Sequence, residues 1–205
     1  MSHRLDVIGL GMATLDLLIR LDEMPTWESS AGFQSFRFDG GGPVGTAMVA
    51  AAQLGARAGF VGTAGSDEAS DLKLRSFIEA GVDISHLVRR PGQEDQVILV
   101  FVHAATGERH FCGNKGLRSR PVTEAELDRR YMTAAPYLHL DSSHTDAAIA
   151  AARWMHEAGG SVVLDAGKTD GELSPRLAQL LPHVDVLIGG TGVARAITGI
   201  ARLED

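Results

Sequence analysis

Seven residues, Gly40-Gly41-Gly42-Pro43-Val44-Gly45-Thr46, constrain this chain more than any other stretch. They join an alternating run over 33–39 to a series of small and apolar residues that ends at Leu54. In the run, Phe33, Ser35, Arg37 and Asp39 interleave with Gln34, Phe36 and Phe38, so no side is cleanly apolar. Consecutive glycines let the backbone turn where a Cβ would collide, and they leave amide N–H groups open to a ligand. Pro43 suits the first position of a helix, where an N–H is not needed. From Val44 to Leu54 only Thr46 and Gln53 are polar, which predicts a helix buried on most sides. A helix whose amino end opens on such a turn is a ready site for hydroxyls or anions, with a plain ligand-free turn as the alternative.

The 205 residues suggest one domain, or one domain with a small attachment. A hydrophobic content of 44% is enough for a real core. The formal charge of −7 and the absence of a basic run argue against a nucleic acid or an anionic membrane as partner. Cys112 is the only cysteine, so no internal disulfide forms and a reducing, cytoplasmic location is expected. The apolar run over 7–15 is too short to span a bilayer, and Asp16 interrupts it. It has neither a charged start nor a cleavage site, so no signal peptide is expected.

Taken in order, residues 5–10 read as a buried strand, 17–21 as a second extended run, and 26–32 as a turn after Pro25. Residues 58–62 form another short buried strand. Ser66 or Asp67 can cap a helix on which Leu74, Phe77 and Ile78 share a face, with Gly81 as its stop. The β-branched run over 97–102 returns through Thr106-Gly107-Glu108 into 109–112 as a hairpin, with Cys112 expected to pack. Thr123 and Glu126 make a capping box. Beyond it, strands over 137–140, 161–164 and 186–188 alternate with helices that open at Thr145, Ser174-Pro175 and Val193. Such alternation predicts a parallel sheet, with ligands outside the carboxyl ends of its strands, where Asp141 and Asp165 stand. The two antiparallel-looking pairs near 17–39 and 97–112 are expected to form a small sheet standing off the body.

Gly41-Gly42-Pro43, Thr46, Gln53-Leu54-Gly55-Ala56, Gly59-Phe60-Val61-Gly62 and Gly65-Ser66-Asp67 together resemble the first signature of the ribokinase-like (PfkB) carbohydrate kinases. Asp16, the 97–111 hairpin, the strand ending at Asp141 and the 162–167 segment lie in the matching order. The resemblance implies a three-layer α/β/α fold with a mainly parallel sheet, and a protruding β lid inserted at about 16–40 and 96–113. It also implies ATP-dependent phosphorylation of a sugar or polyol hydroxyl, with Mg2+, and a homodimer through the lid. The sugar-binding residues it implies are Asp16, Thr14, Gly41, Gly42, Thr46, Asp141 and Asn114. A carboxylate at Asp16 accepts hydrogen bonds from two vicinal hydroxyls at once. Asp165 and Lys168 fall in the segment that approaches the nucleotide phosphates.

Two departures qualify the likeness. The family's asparagine-to-glutamate motif, which organises magnesium and phosphate, is absent where it would fall, at Gly190-Thr191-Gly192-Val193, a lack shared with ketohexokinase-like members. The Gly-Ala-Gly-Asp segment, with its anion hole and aspartate base, has no counterpart before Asp205. No catalytic residue is therefore expected within the chain, and the base is expected in a C-terminal part beyond it. Two other readings stand beside the kinase. One is a sugar- or nucleoside-binding relative without turnover. The other is an NAD(P)-binding oxidoreductase, from the spacing of Gly40, Gly42 and Gly45 with Asp67 beyond. His139, Asp141 and His144 raise the thought of a metal, but no further ligand completes the set, and no metal is expected.

Overall fold

The computed structural model describes residues 5–169, 171–200 and 202. The first half of the chain runs through β1 (Val7–Leu10), β2 (Thr14–Leu21), β3 (Ser35–Gly41), α1 (Pro43–Gln53), β4 (Ala58–Val61), β5 (Thr63–Ala64) and α2 (Glu68–Ala80). It continues with β6 (Val88–Arg89), β7 (Val97–His103), β8 (Arg109–Gly113), α3 (Arg129–Met132), β9 (Tyr137–Leu140), α4 (Thr145–Glu157), β10 (Ser161–Asp165), α5 (Pro175–Leu180), β11 (Val186–Ile188) and α6 (Thr191–Thr198). The short apolar runs build a parallel sheet in the order β11-β10-β9-β1-β4.

Strand side chains alternate between faces, and the two faces are covered by different helices. Ile8, Leu10, Leu138, Leu140, Val162 and Leu164 pack against the alanine-rich side of α4 and against Leu177 and Leu180 of α5. On the other face a Cβ at Gly9 would lie 2.5 Å from Val44, because α1 presses directly on β1. Val44 and Met48 join Phe60, Leu74 and Phe77 there in a second cluster, with the Phe60 and Phe77 rings 4.6 Å apart. This is a three-layer α/β/α architecture. Beside α1, the same face of β9, β10 and β11 is left bare, and Tyr137 (53%) and Ile188 (54%) are exposed on it.

A second sheet, β3-β2-β7-β8, stands apart from the first. Its strands come from the two expected segments: β2 with β3 and β7 with β8 are antiparallel pairs, and a parallel pairing of β2 with β7 joins them into one mixed sheet. Cys112 is exposed on it rather than packed.

Three other expectations are corrected. The helix α1 buries only Val44, Gly45 and Met48, and Leu54 just after it is 89% exposed, because α1 meets the sheet along one face only. On α2 the buried face holds Ser70, Lys73, Leu74 and Phe77, whereas Ile78 is 65% exposed. Residues 70, 73, 74 and 77 follow the 3.6-residue period, and 78 falls past its edge. Thr145 is the first residue of α4, with His144 at the cap position. The caps at Asp67 and Ser174, the left-handed Gly81 and the Thr123–Glu126 box are as the spacing predicts. Asp205, beyond which the missing segment is expected, lies outside the described residues.

Gly42 fixes how β3 enters α1. Its φ of 85° with ψ of 147° is a region open to glycine alone, and a Cβ there would lie 2.5 Å from the Met12 carbonyl oxygen. Gly42→Ala is expected to destabilise the protein by about 3 kcal/mol, with urea denaturation as the measurement. A loss below about 1 kcal/mol would show that the turn relaxes at little cost.

Candidate functional site

The segment linking β1 to β2, residues 11–13, is the axle of the site, because the glycine turn, Asp141 and His144 close on it. The glycine turn comes first: Gly42 lies against Met12 and Ala13, and Gly41 against Thr14 and Asp16, so close that a Cβ at Gly41 would collide with the Asp16 carboxylate. Asp141, at the carboxyl end of β9, comes second. Its Oδ2 accepts from the Met12 amide at 2.9 Å and its Oδ1 from the Ser143 amide at 2.7 Å. A Cβ at Gly11 would stand 2.8 Å from that carboxyl carbon. His144 is third. Its Nδ1 accepts from the Val122 amide at 3.2 Å, so the proton resides on Nε2, which donates to the Gly11 carbonyl at 3.2 Å.

Asp16 lies in β2, two residues beyond Thr14, whose hydroxyl donates to Asp16 Oδ1 at 2.6 Å. Burial raises the Asp16 pKa above the usual aspartate value; the Thr14 hydrogen bond pulls it back and the nearby Asp39 carboxylate pushes it up again. Both histidines are pushed the opposite way. Burial lowers His139 against the pull of Asp165 and Asp141, and lowers His144 against Asp141 and the Gly11 carbonyl.

A cleft of about 320 Å³ opens beside these groups and joins Pro43, Arg118, Asp141, Asp165 and Lys168. That volume accommodates a small polar ligand. Asp165 Oδ1 holds the Gly167 amide at 2.8 Å, while Lys168 and Arg118 make no hydrogen bond or ion pair with a described residue. Arg118 escaped the sequence reading. The cluster of Lys115, Arg118 and Arg120 behind the β8 hairpin, in an acidic chain, is the signal that points to it.

The structure therefore brings Asp16, Thr14, Gly41 and Gly42 into contact and sets Asp141 on the same linker, with Asp165 and Lys168 across the cleft. Thr46 stands apart. It is exposed on α1 and lines a second groove with Gly41, Gln53 and Ser76. Asn114 is exposed in the turn after β8, where its Oδ1 accepts from the Gly116 amide at 2.8 Å. Gly190 caps α6 and donates its amide to the Gly167 carbonyl at 2.9 Å, beside Lys168.

The dinucleotide reading is overturned by topology. It needs a buried parallel strand before the glycines, whereas β3 is an exposed antiparallel edge strand of the second sheet. The metal reading loses its ligands, since both ring nitrogens of His144 and both oxygens of Asp141 already serve the backbone. Among the described residues no group of three or more His, Cys, Asp or Glu is arranged to hold a metal ion.

Residues 3–205 match the family described as "pfkB family carbohydrate kinase". An ATP-dependent ribose-1-phosphate kinase of Halopiger xanaduensis is 32% identical over 181 residues, covering 88% of this chain and 60% of the relative. The chain thus spans about three fifths of that relative's length. The structure of Arabidopsis thaliana ribokinase complexed with ribose and ATP superposes with a TM-score of 0.81 at 20% identity, over 98% of this chain and 65% of that one. A fructokinase from Xylella fastidiosa matches with a TM-score of 0.67 at 27% identity, over 89% of this chain and 61% of its own.

The raised pKa of Asp16 carries a sign for stability. A carboxyl group whose folded pKa exceeds its unfolded one binds more protons when folded, so stability falls as pH rises through that window and the deficit persists above it. Asp16→Asn is accordingly expected to melt higher than the wild type at pH 7, with the advantage fading below the ordinary aspartate range. Equal melting midpoints of the two proteins at pH 7 would contradict this reading.

Proposed function

The chain belongs to the pfkB family of carbohydrate kinases, and from that premise we propose that residues 1–205 form the acceptor-binding part of an ATP-dependent sugar kinase. The observation that carries the proposal is the closure of the glycine turn, Asp16 and Asp141 on one linker. In this reading Asp16 accepts hydrogen bonds from vicinal sugar hydroxyls, and the Gly41–Gly42 backbone lets the ring approach. Thr14 holds Asp16 in place, Asp141 supports the linker beneath the sugar, and Thr46 and the free amide N–H2 of Asn114 make outer polar contacts. Asp165 and Lys168 face the nucleotide, with the ammonium group against phosphate.

Phosphoryl transfer also needs a base for the acceptor proton and donors facing the moving phosphate. We assign these to residues outside 1–205. The uncovered face of β9, β10 and β11 beside α1, where Tyr137, Val186 and Ile188 are exposed, supports that assignment, because further elements of the family's fold would find room there. ATP fits the cationic Lys168. The described residues make no cluster of three or more acidic, His or Cys side chains that would hold Mg2+.

Among acceptors we infer ribose 1-phosphate, the substrate in the name of the Halopiger relative. What supports it is the presence of two uncommitted cations in one cleft, Arg118 and Lys168, where the transferred phosphate requires one. Arginine's planar fork suits a second phosphate, carried by the sugar. Full-length, natively expressed protein is expected to use ribose 1-phosphate over ribose by about 100-fold in kcat/KM, and Arg118→Ala to erase most of that preference. Equal use of the two acceptors by the wild type would overturn the inference. Intact mass is the companion measurement. A verified 205-residue protein is expected to bind sugar without consuming ATP, the second reading, and turnover by it would overturn the placement of the base.

We also propose a homodimer through the second sheet, in a cytoplasmic protein. On one side of that sheet Leu17, Phe38, Leu99 and Cys112 form one row, and Ile19, Phe36, Phe101 and His110 the next. Phe36 and Phe38 stack edge to face at 6.2 Å, and both are exposed. Such a row suits the same row of a second copy. Phe36→Asp with Phe38→Asp is expected to shift the protein from dimer to monomer in sedimentation velocity. A wild type that sediments as a monomer at micromolar concentration would remove the proposal.

A further inference from the structure

Away from the cleft, Lys73 (0% exposed) and Glu94 (5%) carry charge into the interior. Such groups are rarely buried unless their partners are complete. Here they are. Lys73 Nζ donates to Glu94 Oε2 at 2.7 Å, to the Thr63 carbonyl at 2.9 Å and to Gln96 Oε1 at 3.1 Å. Glu94 accepts in addition from the Gly65 amide at 3.0 Å and the Gln96 amide at 2.9 Å. Its own amide donates to Asp67 Oδ2 at 3.1 Å, so the cap of α2 closes the loop. Burial pulls the Lys73 pKa below the ordinary lysine value, and the Glu94 carboxylate opposes that pull.

Stability alone does not explain this arrangement, because apolar side chains of similar volume often replace a buried pair without loss. Its position is more telling. Gln96 is gripped by its side chain and its amide, and its carbonyl accepts from the Leu15 amide at 2.8 Å. Leu15 precedes Asp16, and this contact opens the β2–β7 pairing in which Asp16 lies beside Ile98. The same helix braces the opposite side of Asp16. Ser76 of α2 sits where a Cβ of Gly40 would come within 2.5 Å, next to the Gly41 that touches the Asp16 carboxylate.

We propose that the Lys73–Glu94 pair is a positioning device that fixes Gln96 and, through the Gln96–Leu15 hydrogen bond, sets the Asp16 carboxylate against Gly41. Lys73 and Glu94 are positioning residues here and touch no substrate. Only the functional half of the proposal rests on the sugar-kinase reading; the structural half stands without it.

The experiment compares full-length wild type, Lys73→Met and Gln96→Met by hydrogen–deuterium exchange and by KM for ribose 1-phosphate and for ATP. In Lys73→Met, exchange over residues 13–18 is expected to rise at least about 10-fold, while α4 changes by less than about twofold. The KM for ribose 1-phosphate is expected to rise about 10-fold with the KM for ATP unchanged, since a displaced carboxylate weakens acceptor binding alone. Gln96→Met, which keeps the ion pair, is expected to loosen the same segment by about threefold, and it decides the matter if Lys73→Met does not fold. Unchanged protection over 13–18 in a folded variant overturns the proposal, as does loosening shared equally by α4. A parallel rise in both KM values overturns it too. If the wild type phosphorylates neither ribose 1-phosphate nor ribose, the kinase reading fails, and the exchange pattern still settles the positioning.

Discussion

The site depends on how closely two stretches of backbone approach one another. Gly42 lies on Met12 and Ala13 with no room for a side chain, and its conformation is one that only glycine adopts freely. That contact places the start of α1 at the carboxyl end of β1, with the Gly45 amide donating to the Met12 carbonyl of the β1–β2 linker at 3.0 Å. The same linker receives the Asp141 carboxylate from β9 and the His144 ring from the turn beyond it. One short segment thus ties the glycine turn and two carboxyl-terminal strand ends together. Moving it would disturb Asp16, Asp141 and the entry to α1 at once.

The kinship of the chain and most of the sheet were legible in the sequence because they depend on local rules. Short apolar runs between capped helices announce parallel strands, and Asp67, Gly81 and Ser174 mark helix ends by hydrogen bonds made within a few residues. What escaped the reading depends on partners far along the chain. The parallel pairing of β2 with β7 joins residues about eighty positions apart, and no periodicity records it. Lys73 reads as a surface lysine until Glu94 and Gln96 are seen beside it. Ile78 reads as core until its angle on α2 is measured against the sheet. Of the site, the glycines and aspartates were legible from their types and spacing. The distribution of those residues between two grooves, and the share taken by Arg118, were not.

The polar groups at the site divide by what they already hold. Asp141 and His144 are committed to backbone amides and carbonyls, so they are structural in the resting fold. Asp16 is different. Among the described residues its only side-chain hydrogen-bond partner is Thr14, its burial disfavours ionisation, and Asp39 adds repulsion. A carboxylate kept under those conditions lowers the stability of the fold and gains where a ligand supplies the missing donors. Vicinal hydroxyls are donors of that kind, and they would bind to the ionised form. Lys168 and Arg118 are uncommitted in the opposite sense, as cations without an anion among the described residues. An acceptor that brings both hydroxyls and a phosphate would satisfy Asp16 and Arg118 together, while the phosphate of the donor nucleotide satisfies Lys168. Under the proposed reading, Arg118 is the group that would tell a phosphorylated acceptor from a neutral one.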